Sequence, residues 1–296
     1  MNWRVRHSTL YRYTEPVDLA TQQLHLSPRP LPHQRVLWDS LACTPEPTRI
    51  STATDHFGNR VTWLFLDRPH TRFEVVAESE VAVEFPPAPA VADTPAWEAV
   101  VEAAAGDAEA AEFTYPSPML PEHVGARDYV APSFPPGRPV LEGLLELKAR
   151  IRREFSFRAG VTGISTTVTQ ILAQRAGVCQ DFTHLMICGL RGLGLPARYV
   201  SGYIRTFTPP GQQRRLGSDQ SHAWVGAWMG PGLGWVDLDP TNDLIVRDEH
   251  VVLGWGRDFS DISPLRGIIL GGGRHSLEVG VDLLPPDEAA ALLARS

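Results

Sequence analysis

Residues 177–203 read GVCQDFTHLMICGLRGLGLPARYVSGY. The stretch sets Cys179 just after a glycine, at the head of an apolar run. Phe182, Leu185, Met186, Leu190 and Leu193 recur at helical spacing. Gly194 and Pro196 end the helix, and ARYVSGYIR continues as a strand. Cys179 lies three residues before Phe182 and seven before Met186, so it shares their inward face. That alone fits core filler, because free cysteine is among the most buried residue types. Its end position points to chemistry. The first N–H groups of a helix lack intrahelical partners and carry partial positive charge. They stabilise a thiolate and can donate to an oxyanion forming at an attacked carbonyl. Cys188 lies mid-helix and Cys43 in a β-like region, so both read as core.

The surroundings set the fold class. Residues 1–85 read as antiparallel β. WRVRHSTLYRY, RVLWDSLAC, NRVTWLFLD and RFEVVAESEVAVEF are rich in β-branched and aromatic residues, with stretches of period 2. Residues 86–139 hold 11 of the 26 prolines and form a connector, interrupted by one short helix over AWEAVVEAAAGDAEAA. From about 140 the pattern is helical: LEGLLELKARIRREF, then TTVTQILAQRAG with Gly177 as its stop, then the Cys179 helix. ARYVSGYIR, SHAWVGAWM and GWVDLDP follow as strands, with a loop over TFTPPGQQRRLGSD. Strands, then helices, then strands predict an α+β fold. The expected parts are an N-terminal β domain over 1–85, a connector over 86–139, and a core over 140–296 that ends in a C-terminal strand extension.

Bulk composition narrows the function classes. The chain has 296 residues, 43% hydrophobic and 21% charged, with a net charge of −7. This is an ordinary globular balance. An acidic excess argues against binding nucleic acid by phosphate neutralisation. No run approaches the ~18 apolar residues needed to span a bilayer, and the N-terminus lacks a signal-peptide pattern. Three sparse cysteines, an odd number, argue against a disulfide framework and fit a reducing, cytoplasmic setting.

A helix-head thiol needs a base. Of ten histidines, His222 in SDQSHAWVGAWMGPGLGWVDLDPTND is best placed. The glycines and proline of MGPGLG mark a short hairpin. Loops of two and of four residues both set His222 on one face with Asp237 and Asp239. Asp239 is then directly opposite His222 or its diagonal neighbour, and Asp237 lies nearer the turn. A carboxylate on the second ring nitrogen fixes the tautomer and stabilises imidazolium. Other features are weaker. His184 and Cys188, four apart, have no second ligand pair for zinc. LGGGRH at 270–275 lacks a following helix and reads as a turn. Asp181 reads as a first-turn charge, and Glu154 as part of a solvated face.

AGVCQDFTHL, LGLPARYVSGY, SHAWV and GWVDLDPTN together resemble the transglutaminase-like superfamily in its bacterial two-part form. The flanks WRVRHSTLYRY and DFSDISPLRGIILGGGRHSLEVGV resemble it too. The resemblance implies a papain-like core in which Cys179 attacks an amide, His222 moves the proton and Asp239 orients His222. Beside the Cys179 N–H, Gln180 and Trp224 are candidate site-shaping residues. No cofactor or metal is implied, and no EF-hand-like loop is present. The implied partner is a peptide or protein substrate. No tryptophan lies between Trp97 and Trp224, where animal transglutaminases carry one that stabilises the tetrahedral intermediate. Hydrolysis by a cysteine peptidase or amidase is therefore the leading expectation. Transamidation of glutamine side chains, or a binding protein that kept the fold, are the alternatives.

Overall fold

The computed structural model describes residues 1–206 and 219–293. Five strands open the chain: β1 (Asn2–Leu24), β2 (Gln34–Thr44), β3 (Arg49–Thr54), β4 (Arg60–Leu66) and β5 (His70–Val83). Alternation builds their sheet. Trp3, Val5, His7 and Thr9 of β1 turn inward, as do Phe73, Val75, Ala77, Ser79 and Val81 of β5. β1 has 23 residues, about twice the expected length, and shifts register between Arg12 and Val17, so it serves different neighbours at its two ends. β3 carries no inward face and is exposed along its whole length. The sequence reading passed over it for that reason.

Short helices follow in the proline-rich connector: α1 (Trp97–Ala104), α2 (Ala108–Glu112) and α3 (Val124–Val130). The single expected helix breaks around Gly106, and α3 is additional. Next come α4 (Val140–Glu154), β6 (Ser156–Phe157), α5 (Val168–Gln174), β7 (Ala176–Gly177) and α6 (Cys179–Gly192). α5 ends at Arg175 in the left-handed region, φ 49°, and not at Gly177. Gly177 has another task. A Cβ there would sit 2.6 Å from a carboxylate oxygen of Asp181.

The core sheet is antiparallel, ordered β11–β10–β9–β8–β12, from β8 (Ala197–Ile204), β9 (Gln220–Trp228), β10 (Trp235–Asp239), β11 (Leu244–Ile245) and β12 (His250–Gly256). The loop expected over 206–219 falls mostly outside the described residues. β8 and β9, with α3, α4 and α5, pack on α6. Every residue from Asp181 to Arg191 is buried, so α6 is a core helix with no solvent face. Burial of Phe182, Leu185, Met186 and Leu190 contributes about 1.5–3 kcal/mol each. The stack fixes the direction in which the helix head points.

Two strands expected to extend the core do something else. β13 (Leu265–Gly271) and β14 (His275–Leu284) both pair with β1, ahead of α7 (Pro286–Leu293). Residues 265–284 therefore complete the N-terminal sheet. Side chains also tie that sheet to β12. Gln34 exchanges both amide bonds with the backbone of Val252, and Asn59 does the same with Trp255. No helix among the described residues is long and apolar enough to cross a membrane.

Candidate active site

Cys179 is the first residue of α6 and is half-buried. Its position is held by the turn before it. Asp181 reaches back to accept the Val178 N–H at 2.7 Å, one half of a capping box, and its Oδ2 also accepts the Thr162 hydroxyl at 2.7 Å. Asp181 is thus a buried cap, and burial raises its carboxyl above the ordinary value despite those donors. Helix geometry leaves the N–H groups of Cys179 and Gln180 without intrahelical acceptors.

β9 and β10 pair with Asp237 opposite Gly226 and Leu238 opposite Val225. That register puts Asp239 diagonal to His222 on the shared face. His222 Nε2 donates to Asp239 Oδ2 at 2.7 Å, which leaves Nδ1 as the other ring nitrogen. Opposite His222 on β8 stands Gly202, where a Cβ would come within 2.1 Å of the Val251 carbonyl. Burial disfavours the charged imidazole. Hydrogen bonds to Asp239 and to Cys179, with their charges, outweigh it and raise His222 from 6.5 to about 10. Asp239 is 0% exposed. Burial alone would raise it, but the hydrogen bond from His222 leads the groups that hold its carboxyl well below the usual carboxylate range, with the His250 imidazole nearby.

The turn after β10 supplies what the sequence reading missed. Asp239 Oδ1 accepts the N–H groups of Thr241 and Asn242 at 2.9 and 3.2 Å, and the Asn242 amide donates to Oδ2 at 2.7 Å. Asp-Pro-Thr-Asn is a turn in which the aspartate binds its own backbone two residues on, a signal that was available in the sequence. Lys148 of α4 pairs with Asp243, φ 58°, and anchors the far side of that turn.

The side chains of the remaining candidates have partners of their own. The Gln180 amide donates to the Ile164 carbonyl at 3.2 Å. Trp224 is fully buried, its indole N–H donates to Asp237 at 3.0 Å, and its ring centroid lies 6.1 Å from that of His222. His184 accepts the Phe259 N–H, and the Cys188 thiol contacts the Pro121 carbonyl; each has its own partner. Burial pushes Cys188 and Cys43 up to about 11. LGGGRH is the β13–β14 turn, with Gly271, Gly272 and Gly273 all at positive φ. His222, Asp239 and His250 offer ligand atoms within 4.8 Å of one another. A cation there would displace the His222 proton from Asp239.

Residues 3–82 match the bacterial transglutaminase-like N-terminal region, and residues 130–240 match the transglutaminase-like superfamily core. The second span contains Cys179, His222 and Asp239. An uncharacterized protein of Mycobacterium tuberculosis is 41% identical over 292 residues, covering 96% of this chain and 92% of its own. A protein-glutamine gamma-glutamyltransferase of Pseudomonas aeruginosa is 32% identical over 120 residues, 38% of this chain and 18% of its own. The crystal structure of a candidate cysteine protease from Cytophaga hutchinsonii shares the fold, with a TM-score of 0.73 at 22% identity. The match covers 97% of this chain and 92% of that one.

Proposed function

The chain belongs to the transglutaminase-like superfamily, with the bacterial N-terminal region ahead of its core, and on that premise we propose that it catalyses thiol-dependent acyl transfer at an amide carbonyl. The observation that supports the reading is the buried His222–Asp239 pair at 2.7 Å, with the helix-head Cys179 among the groups that raise the imidazole. In this reading the Sγ proton passes to His222 Nδ1, and Sγ attacks the carbonyl carbon. The N–H groups at the head of α6 face the oxyanion. His222 then gives its proton to the leaving amine as the C–N bond breaks, and a thioester remains on Cys179. Asp239 stays a carboxylate throughout and fixes the imidazole.

Water or an amine then resolves the thioester, losing its proton to His222 as Sγ departs. We favour water, because it needs no second binding site and the upstream tryptophan of the animal enzymes is missing. Similarity to a protein-glutamine gamma-glutamyltransferase supports the amine as the competing acceptor. The free thiols Cys43, Cys179 and Cys188 fit a reducing, cytoplasmic setting. The test is a glutamine-containing peptide library incubated with a primary amine, read by mass. Hydrolysed products without added amine mass support the peptidase or amidase reading. A product heavier by the amine overturns it in favour of transamidation, and no product with either acceptor overturns acyl transfer on this substrate class.

A further inference from the structure

Asp239 is surrounded more closely than a carboxylate that only orients one imidazole requires. Oδ1 takes two backbone N–H groups, and Oδ2 takes His222 and the Asn242 amide. A second imidazole approaches the same oxygen. His250, first residue of β12, places Nε2 3.6 Å from Asp239 Oδ2, just beyond hydrogen-bond length. His250 is 1% exposed, and among the described residues neither of its ring nitrogens has a hydrogen-bond partner.

Its backbone is fixed by pairing with Ile204 of β8, and its ring stands edge-on to Trp224 with centroids 5.2 Å apart. The ring centroid of His222 lies 6.2 Å away. A neutral imidazole always carries one N–H. Burying that N–H unpaired costs stability, whereas an apolar side chain of similar size would fill the space without the penalty. The acceptor at hand is the charged Oδ2, and a charge-assisted bond to it is among the stronger kinds.

We propose that His250 is a positioning residue for the acyl-transfer site: it donates from Nε2 to Asp239 Oδ2 and so holds the carboxylate that aims His222 at Cys179. The inference rests on the function proposed above. His250 exchanges no proton with substrate and keeps its own through the cycle. Asp239 is clamped by the turn after β10 on one oxygen and between two imidazoles on the other. The carboxylate then keeps a charge-assisted partner on Oδ2 while His222 serves first the thiol and then the leaving group.

The test uses the full chain and three variants. His250→Gln keeps an N–H donor, His250→Met has similar length without one, and His222→Ala removes the base. Iodoacetamide alkylation of Cys179 is followed at neutral pH by peptide mapping, beside thermal melting of each protein. We expect His250→Met to slow alkylation about tenfold, the order for one lost charge-assisted hydrogen bond, and His250→Gln to restore most of the rate. A packing role would make both variants track their melting temperatures, and equal rates for Gln and Met would overturn the inference. The His222→Ala arm separates the two claims. If it is slow and His250→Met is not, only the role of His250 fails; if His222→Ala reacts like wild type, the acyl-transfer reading fails with it. Nitrogen-15 spectra of histidine-labelled wild type add a test that needs no variant. A proton on His250 Nε2 is expected, and a proton on Nδ1 alone overturns the inference.

Discussion

Asp239→Asn tests the chemistry of the buried carboxylate with almost no change of shape. The wild-type group accepts four hydrogen bonds: Thr241 N, Asn242 N, the Asn242 amide and His222 Nε2. An asparagine has one oxygen with two lone pairs and one NH₂ group with two donors. If the oxygen keeps the two backbone N–H groups, the NH₂ faces the Asn242 amide and His222 Nε2–H, donor against donor. The cheapest escape moves the His222 proton to Nδ1, so that Nε2 accepts from the new amide. Nδ1 is the nitrogen left for the thiol, and once protonated it cannot take the Sγ proton. The thiol should then react like a free one of pKa about 8.5, only a few per cent thiolate at neutral pH, so its alkylation should slow about tenfold or more. The Asn242 amide is left short of a partner, so stability should fall by about 1–3 kcal/mol. The assay is the Cys179 alkylation rate at neutral pH, read beside urea denaturation and nitrogen-15 spectra of His222. A folded Asp239→Asn protein that alkylates within threefold of wild type would refute this reasoning.

Other perturbations probe neighbouring parts of the structure. Burial lowers His7 and His184 from 6.5 to about 4. Stability they provide above 6.5 is therefore lost as pH falls toward about 4, by up to about 3 kcal/mol each. His222, raised to about 10, runs the other way, contributing fully below 6.5 and fading as pH climbs through about 10. Urea midpoints for wild type should drop between pH 7 and pH 5, and His184→Gln should flatten the drop; a flat wild-type profile would contradict the burial argument. Asn242→Ala removes the amide from Asp239 Oδ2 and should cost about 1.5–3 kcal/mol, as for a hydrogen bond to a charged group, with slower Cys179 alkylation. Unchanged alkylation would free Asn242 from any part in the site. Trp255→Ala should cost about 3 kcal/mol in chemical denaturation, because Arg29 and Arg198 stack on its ring at 3.6 and 3.8 Å. An unaffected midpoint would mean that this stack does not hold the N-terminal sheet to the core.

Much of the site was legible because its signals are local. The helix of Cys179 shows in five apolar residues at regular spacing, and the His222 hairpin shows in its glycines. Pairing parity then set Asp239 on the face of His222, where the register places it. What stayed hidden depends on distant partners or on single side chains. β13 and β14 pair with β1 across more than two hundred residues, and no local pattern says which sheet a strand joins. β3 buries nothing, so it left no period to read. Arg175 caps α5 in a conformation expected of glycine, while Gly177 makes room for the Asp181 cap. Trp224 shares the face of His222 by alternation, and the fold buries it completely. His250 is one histidine among ten, and only the fold brings it to Asp239.

Site-resolved alkylation tests the central claim most directly. Wild type and His222→Ala are treated with limiting iodoacetamide near pH 6.5, and the three cysteines are quantified by peptide mapping. Burial holds Cys43 and Cys188 near 11, so they serve as internal references of ordinary, protected thiols. The prediction is that Cys179 is labelled first in wild type and slows at least tenfold in His222→Ala, while Cys43 and Cys188 do not change. Labelling of Cys179 no faster than Cys43, and indifferent to His222, would contradict a thiol activated by its neighbouring imidazole.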